Sequence, residues 1–169
     1  MKTSLSNFLM PAAFVTLACL PALVSATNPY QMAVIEATPG AMQLQQGETT
    51  EGLTALKTQS RGSDAFSQTM ALCVANTQLA NLNGASPACS RAIQLARHQA
   101  QATPAERREM QALALSNRGV MHWVAQDLPS AQQDFQRAAK LSNNELVQHN
   151  LQQFSYRLQG LNQKLALAH

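Results

Sequence analysis

Past an apolar run from Phe8 to Leu20, hydrophobic residues are spread through a chain rich in Gln, Asn, Ser and Ala. The strict alternation that marks half-buried strands is almost absent. One stretch, "MAVIEA" from Met32 to Ala37, has strand character, and "TPGA" ends it at once. The segment "QQGETTEGLTALKTQ" starts a short helix near Thr49, which "SRGSD" breaks. Longer helices follow, each with its own start signal. Asp64 caps a helix running to about Ala80, and "NLNG" reads as the turn after it. Ser86 and Pro87 supply a cap and a first-turn proline for a helix to about Ala100. In "TPAE", Thr103 is a cap, Pro104 follows directly and Glu106 stands at the capping-box position, opening a helix to about Ala125. Asp127 caps the next, which ends near Leu141; Pro129 is tolerated because first-turn N–H groups have no helical partner. "SNNE", Ser142 to Glu145, reads as another capping box and opens a last helix to about Leu165. The pattern predicts an all-α fold.

A ruler repeats within these helices. In "GVMHWVAQDLPSAQQDFQRAAKL", Gly119 is followed by Ala131 after twelve residues, Phe135 after sixteen and Ala138 after nineteen. This resembles the tetratricopeptide repeat, a helical hairpin with glycine in its first helix and alanine, an aromatic and alanine in its second. The resemblance implies close packing: Gly119 admits the second helix, Ala131 and Ala138 keep the approach tight, and Phe135 fills the space beside the glycine. Cys73, Ala85, Cys89 and Ala92 follow the same ruler, so the two cysteines stand in the slots of Gly119 and Phe135. The resemblance covers about residues 65 to 160. It departs from the family at His122, where tyrosine is usual, and at Asn143, where proline is common. The hairpins are offset by forty-six residues, against thirty-four in the family. Gly47, Gly52 and Leu56 echo the back half of a further, degenerate unit. The expected architecture is a short solenoid of stacked antiparallel hairpins over residues 49–168, closed by a C-terminal capping helix.

The start of the chain changes the picture by adding a compartment. Lys2 precedes the apolar run, and "VSA" puts small residues where a signal peptidase reads, so residues 1–26 are expected to be a signal peptide cut after Ala26. Residues 27–48 are then a flexible lead-in. The run is short and holds Pro11, which argues against a retained membrane span. A lipoprotein signal at Cys19 is a weak alternative, since "TLAC" places threonine where leucine is wanted. Cleavage takes Lys2 from twelve Lys and Arg, leaving eleven against nine Asp and Glu, a net charge of +2. That bias is too slight to argue for nucleic acid or an anionic membrane. Periplasmic or secreted placement follows, with periplasm the default.

Two cysteines remain after cleavage, an even count of the kind that pairs in an oxidising compartment. Asn81, the midpoint between Cys73 and Cys89, lies in the expected turn, and residues equidistant from a hairpin turn face each other. A disulfide is the favoured reading, with two buried thiols or a metal pair as the alternatives. Metal is disfavoured because no His or Cys stands at ligand spacing from either cysteine.

What the resemblance implies about function is a groove, lined mainly by the first helix of each hairpin, that holds a peptide or protein segment. By position the groove candidates are Ser116, Asn117, Val120 and Trp123, with Leu113 and Val124 beside them and Met70, Val74 and Thr77 in the first hairpin. Asn150 on the last helix joins them. Trp123 has two readings, a core residue or a partly exposed anchor. Asn117 and Asn150 can hydrogen-bond a bound peptide's backbone or satisfy their own fold, and His122 reads as an interhelix packing residue. Catalysis finds no support: the four histidines have no metalloprotease spacing, and no nucleophile elbow or glycine-rich phosphate loop occurs. The expectation is a non-catalytic module without metal or cofactor that binds an unidentified protein or peptide. The alternatives are a structural subunit of an envelope assembly and a binder of a small envelope ligand.

Overall fold

The computed structural model describes residues 28–59 and 64–167. The expected leader, residues 1–26, lies outside them. Seven helices occur among the described residues: α1 (Ala41–Gln46), α2 (Thr49–Gln59), α3 (Ala65–Gln78), α4 (Leu82–Arg97), α5 (Pro104–Val124), α6 (Leu128–Leu141) and α7 (Glu145–Leu167). They form an all-α fold of stacked antiparallel pairs, in which α3–α4 and α5–α6 are successive hairpins and α4 lies against α5. The small first pair, α1–α2, packs on α3, and α7 lies across α5 and α6 at the other end.

Local chemistry sets most helix starts where the sequence puts them. Asp64 Oδ1 accepts from the N–H groups of Phe66 and Ser67, at 2.9 and 3.1 Å, and caps α3. Thr103 and Glu106 bond reciprocally in a capping box at the head of α5, and Asp127 accepts from the N–H of Ser130 at the head of α6. Two starts differ from expectation. Helix α4 begins at Leu82, because the side chain of Asn81 accepts from the N–H of Gly84. The "NLNG" segment is therefore its first turn rather than a loop, and Pro87 lies inside the helix. Helix α7 is capped by Asn144, whose Oδ1 accepts from the N–H of Leu146 at 3.0 Å, and not by Ser142. The Ser142 hydroxyl instead accepts from the N–H of Asn144 and is bonded to Glu109 on α5.

The three hairpin turns share one construction. In each, a left-handed residue ends the first helix: Gly47 with φ 81°, Ala80 with φ 53° and Gln126 with φ 61°. The next residue then bonds back five positions, with Glu48 to Gln43, Asn81 to Asn76 and Asp127 to His122, at 2.8, 2.8 and 2.9 Å. This closes the helix end with a 6→1 bond that satisfies a carbonyl otherwise left without a partner. The equivalence shows that α1–α2 is a shortened hairpin of the same design, where the sequence showed only an echo. It also means that part of the expected flexible lead-in has a defined course. Residues 30–35 form neither helix nor strand, a turn follows in which the N–H of Thr38 bonds the carbonyl of Ile35, and α1 completes the segment.

Within the hairpins the small residues lie at the contacts. Ala85, Ala92, Ala131 and Ala138 have no exposed surface. A β-carbon added at Gly119 would stand 2.8 Å from the ring of Phe135, so only glycine admits the ring there. In the equivalent slots of α3–α4, Cys73 and Cys89 form a disulfide with their Cα atoms 4.7 Å apart.

Candidate functional site

Residues 30–35 pack against α1, α3, α5 and α7, with Gln31 and Ala33 bonded along one backbone edge and Val34 turned to a different apolar cluster from Ala33 and Ile35, the alternation of an extended chain. An extended backbone in an all-helical protein has no neighbouring strand to bond, yet its buried polar groups still need partners. Two asparagines supply them. Asn117, on α5, accepts from the N–H of Ala33 and donates to its carbonyl, both at 2.8 Å. Asn150, on α7, accepts from the N–H of Gln31 at 2.8 Å and donates to its carbonyl at 2.7 Å. Residues two apart in an extended chain turn the same backbone edge outward, so one edge of the segment meets both amides. Each carboxamide takes the place of a residue on a paired strand. Both asparagines have 0% exposure, and the Ser116 hydroxyl accepts a further bond from Asn150 Nδ2 at 2.9 Å, fixing the orientation of that amide.

Side chains of the segment fill the groove between the elements. Tyr30 tilts over Trp123 with ring centroids 5.8 Å apart, and burial pushes the Tyr30 hydroxyl above its usual pKa. Met32 reaches the apolar groups around Val120 and Trp123, around Val74 and Leu44, and around the disulfide. Ala33 is buried with Phe66, Met70 and Ala112, and Val34 with Leu44, Leu56 and Val74. The segment thus joins the apolar clusters that the hairpins build separately.

Of the groove residues named from the sequence, Ser116, Asn117, Val120, Trp123 and Asn150 are brought together and buried, and the segment covers them. Trp123 is buried rather than partly exposed. It packs edge-on against Phe135 and Phe154, at 6.2 and 5.4 Å, and it also carries Tyr30. Met70 and Val74 lie under the segment. Thr77 is turned to its own helix, its hydroxyl donating to the carbonyl of Cys73 at 2.7 Å. Leu113 lies away from the clasps, against a cleft of about 510 Å³ that it shares with Ile35, Phe66, Met110 and Glu109. A second cavity, of about 630 Å³, runs alongside the segment between Tyr30, Met32, Leu44 and Gln78.

On α5 and α6, sequence reasoning missed an ion pair. Arg118 donates through Nε and Nη2 to both oxygens of Asp134, at 2.6 and 2.9 Å, and through Nη1 to Ser90 on α4 at 3.3 Å. The bond to the carboxylate holds the guanidinium pKa above its usual value. His122 stands 3.8 Å from Asp134 and 3.5 Å from Asp127, so one face of the second hairpin gathers a guanidinium, an imidazole and two carboxylates. The spacing of Arg118 and Asp134 is sixteen, the same as Gly119 to Phe135, and that register was the available signal.

Among the described residues no group of three or more His, Cys, Asp or Glu is placed to hold a metal ion, and no helix is long and apolar enough to cross a membrane. No family model, curated protein or solved structure matches the chain.

Proposed function

We propose that the chain is an exported, non-catalytic protein-interaction scaffold whose concave groove holds a protein segment in extended conformation. The observation that carries the reading is the pair of amide clasps: Asn117 and Asn150 bind the backbone of Ala33 and Gln31 at both N–H and carbonyl. Such recognition reads main-chain geometry, which any segment presents, and leaves side-chain pockets to select the sequence. Export is supported by the apolar leader pattern and by the buried disulfide, a bond that persists in oxidising compartments. Kinship with the tetratricopeptide family is supported by the Gly119, Ala131, Phe135 and Ala138 contacts and by the repeated turn.

A second reading has its own support. Because the groove is filled by the chain itself, a subunit that meets an envelope assembly through its outer helix faces fits the same structure. Crosslinked affinity capture from the cell envelope separates the two, with Asn117→Leu plus Asn150→Leu run beside the unaltered protein. A partner lost by the folded variant establishes groove binding. A partner held equally by both moves the interface to the outer faces.

A further inference from the structure

We infer that residues 30–35 are a displaceable resident of the groove, and that the partner's segment that replaces them carries their pattern: aromatic, any residue, long apolar, small, then two branched apolar residues. This rests on the groove-binding reading and adds the partner's chemistry and its competitor. Each position follows from what surrounds the resident. Tyr30 lies on Trp123, which selects an aromatic ring. The side chain of Gln31 is exposed and sets no requirement. Met32 reaches three apolar clusters at once, which an unbranched long side chain does best. Ala33 is enclosed beside Asn117, where a larger side chain would lift the backbone off the amide. Val34 and Ile35 pack to opposite sides, and β-branched residues favour the extended backbone that both clasps need.

Three features make the resident replaceable rather than a fixed part of the core. Four side-chain amide bonds hold it, with none of the continuous ladder that fixes a helix or a sheet. The turn behind it buries the Thr38 hydroxyl, which finds no hydrogen-bond partner among the described residues, a loss that opening to water would restore. The cavity of about 630 Å³ beside Tyr30 and Met32 gives an incoming segment a place to lie before the resident leaves. The groove in turn needs an occupant, because Asn117 and Asn150 are fully buried and an empty groove would expose Trp123, Met70 and Val120 together.

The test uses the full mature chain and a labelled synthetic peptide with the sequence of residues 28–36. Ala33→Glu in the chain, which weakens the resident and leaves the groove intact, should bind the peptide at least tenfold more tightly than the unaltered chain does. Adding Asn117→Leu and Asn150→Leu should abolish that binding, and the peptide with Ala33→Leu should bind at least tenfold more weakly. Hydrogen exchange on the unaltered chain needs no variant: the amides of Gln31 and Ala33 should exchange at least tenfold faster than that of Val120 on α5. Equal protection at all three positions would mean that the segment leaves only on global unfolding, and would overturn the inference. So would a folded Ala33→Glu chain that ignores the peptide, or one that pairs with a second copy of itself and excludes the peptide. Peptide exchange without groove-dependent capture would leave this inference standing while the envelope function fails. Capture without peptide exchange would do the reverse.

Discussion

In the α3–α4 hairpin, Cys73 faces Cys89 through a covalent bond; at the equivalent places in α5–α6, Gly119 faces Phe135 through a ring seated where a β-carbon would otherwise be. The turns between the paired helices repeat the same 6→1 closing bond, Asn81 to Asn76 and Asp127 to His122, so the hairpins share a backbone plan and differ in what locks it. A disulfide acts chiefly on the unfolded chain, by limiting how far its ends can separate. An aromatic ring acts in the folded state, through dispersion contacts and excluded water. The second hairpin adds the Arg118–Asp134 pair, bonded to Ser90 on α4, which ties the two hairpins together across their interface. Among the described residues the first hairpin shows no such pair at its own contact, where the covalent link stands instead.

The comparison can be broken most severely at the ring. Phe135→Ala should destabilise the chain by about 3–5 kcal/mol in chemical denaturation, since the cavity opens beside a glycine that cannot fill it. A loss near 1 kcal/mol would show that α5 and α6 close onto each other. Next comes the disulfide. Cys73→Ala with Cys89→Ala should cost about 3 kcal/mol, with hydrogen exchange in α3 and α4 rising more than in α5 and α6. Cys73→Gly with Cys89→Phe sharpens the contrast by writing the second hairpin's chemistry into the first. Its Tm should lie between those of the alanine pair and the unaltered chain, and a Tm at or below the alanine pair would show that the slots are not interchangeable.

The smallest effect is expected at the caps. Asp127 and Asn81 occupy the same place at the start of the second helix of each hairpin. Hydrogen bonds from the side chain and N–H of Ser130 hold the Asp127 carboxyl below its usual pKa of 3.8, whereas Asn81 does not titrate. A carboxylate whose folded pKa is lowered contributes stability that is complete above the unfolded value and is lost as pH falls through the folded one. Asp127→Asn should therefore flatten the fall of Tm below about pH 4. Asp64 keeps its own share of that fall: burial pushes its carboxyl up, but bonds from Ser67 and Phe66 outweigh this and hold it low. An unchanged acid slope in Asp127→Asn would place the sensitivity at Asp64 or at the Glu106 capping box.

How much of this was legible in the sequence depended on whether the cause was local. Caps at Asp64, Thr103 and Asp127 act over three residues, and they marked the helix starts directly. The same locality misled at α4: Ser86 and Pro87 look like a helix start, but Asn81 already caps the preceding turn. The hairpin ruler carried the Cys73–Cys89 pairing because it joins residues across a single turn. The groove was legible as a set of positions on successive first helices. What fills it was not, because the bond between Gln31 and Asn150 spans 119 residues and no periodicity links its ends. "MAVIEA" did look like a strand, and a strand in an all-helical chain has to find side chains for its backbone. That argument would have pointed to buried amides.

The span between Gln31 and Asn150 also orders events in time. Among the described residues the segment is made first, and one of its two clasps is on α7, the last of the described helices. Until α7 has formed, Gln31 lacks that clasp and the groove stays partly open to solvent. A chain stopped short of Asn150 would keep Trp123 and its neighbours uncovered, a mark by which quality-control proteases can tell an unfinished molecule from a complete one.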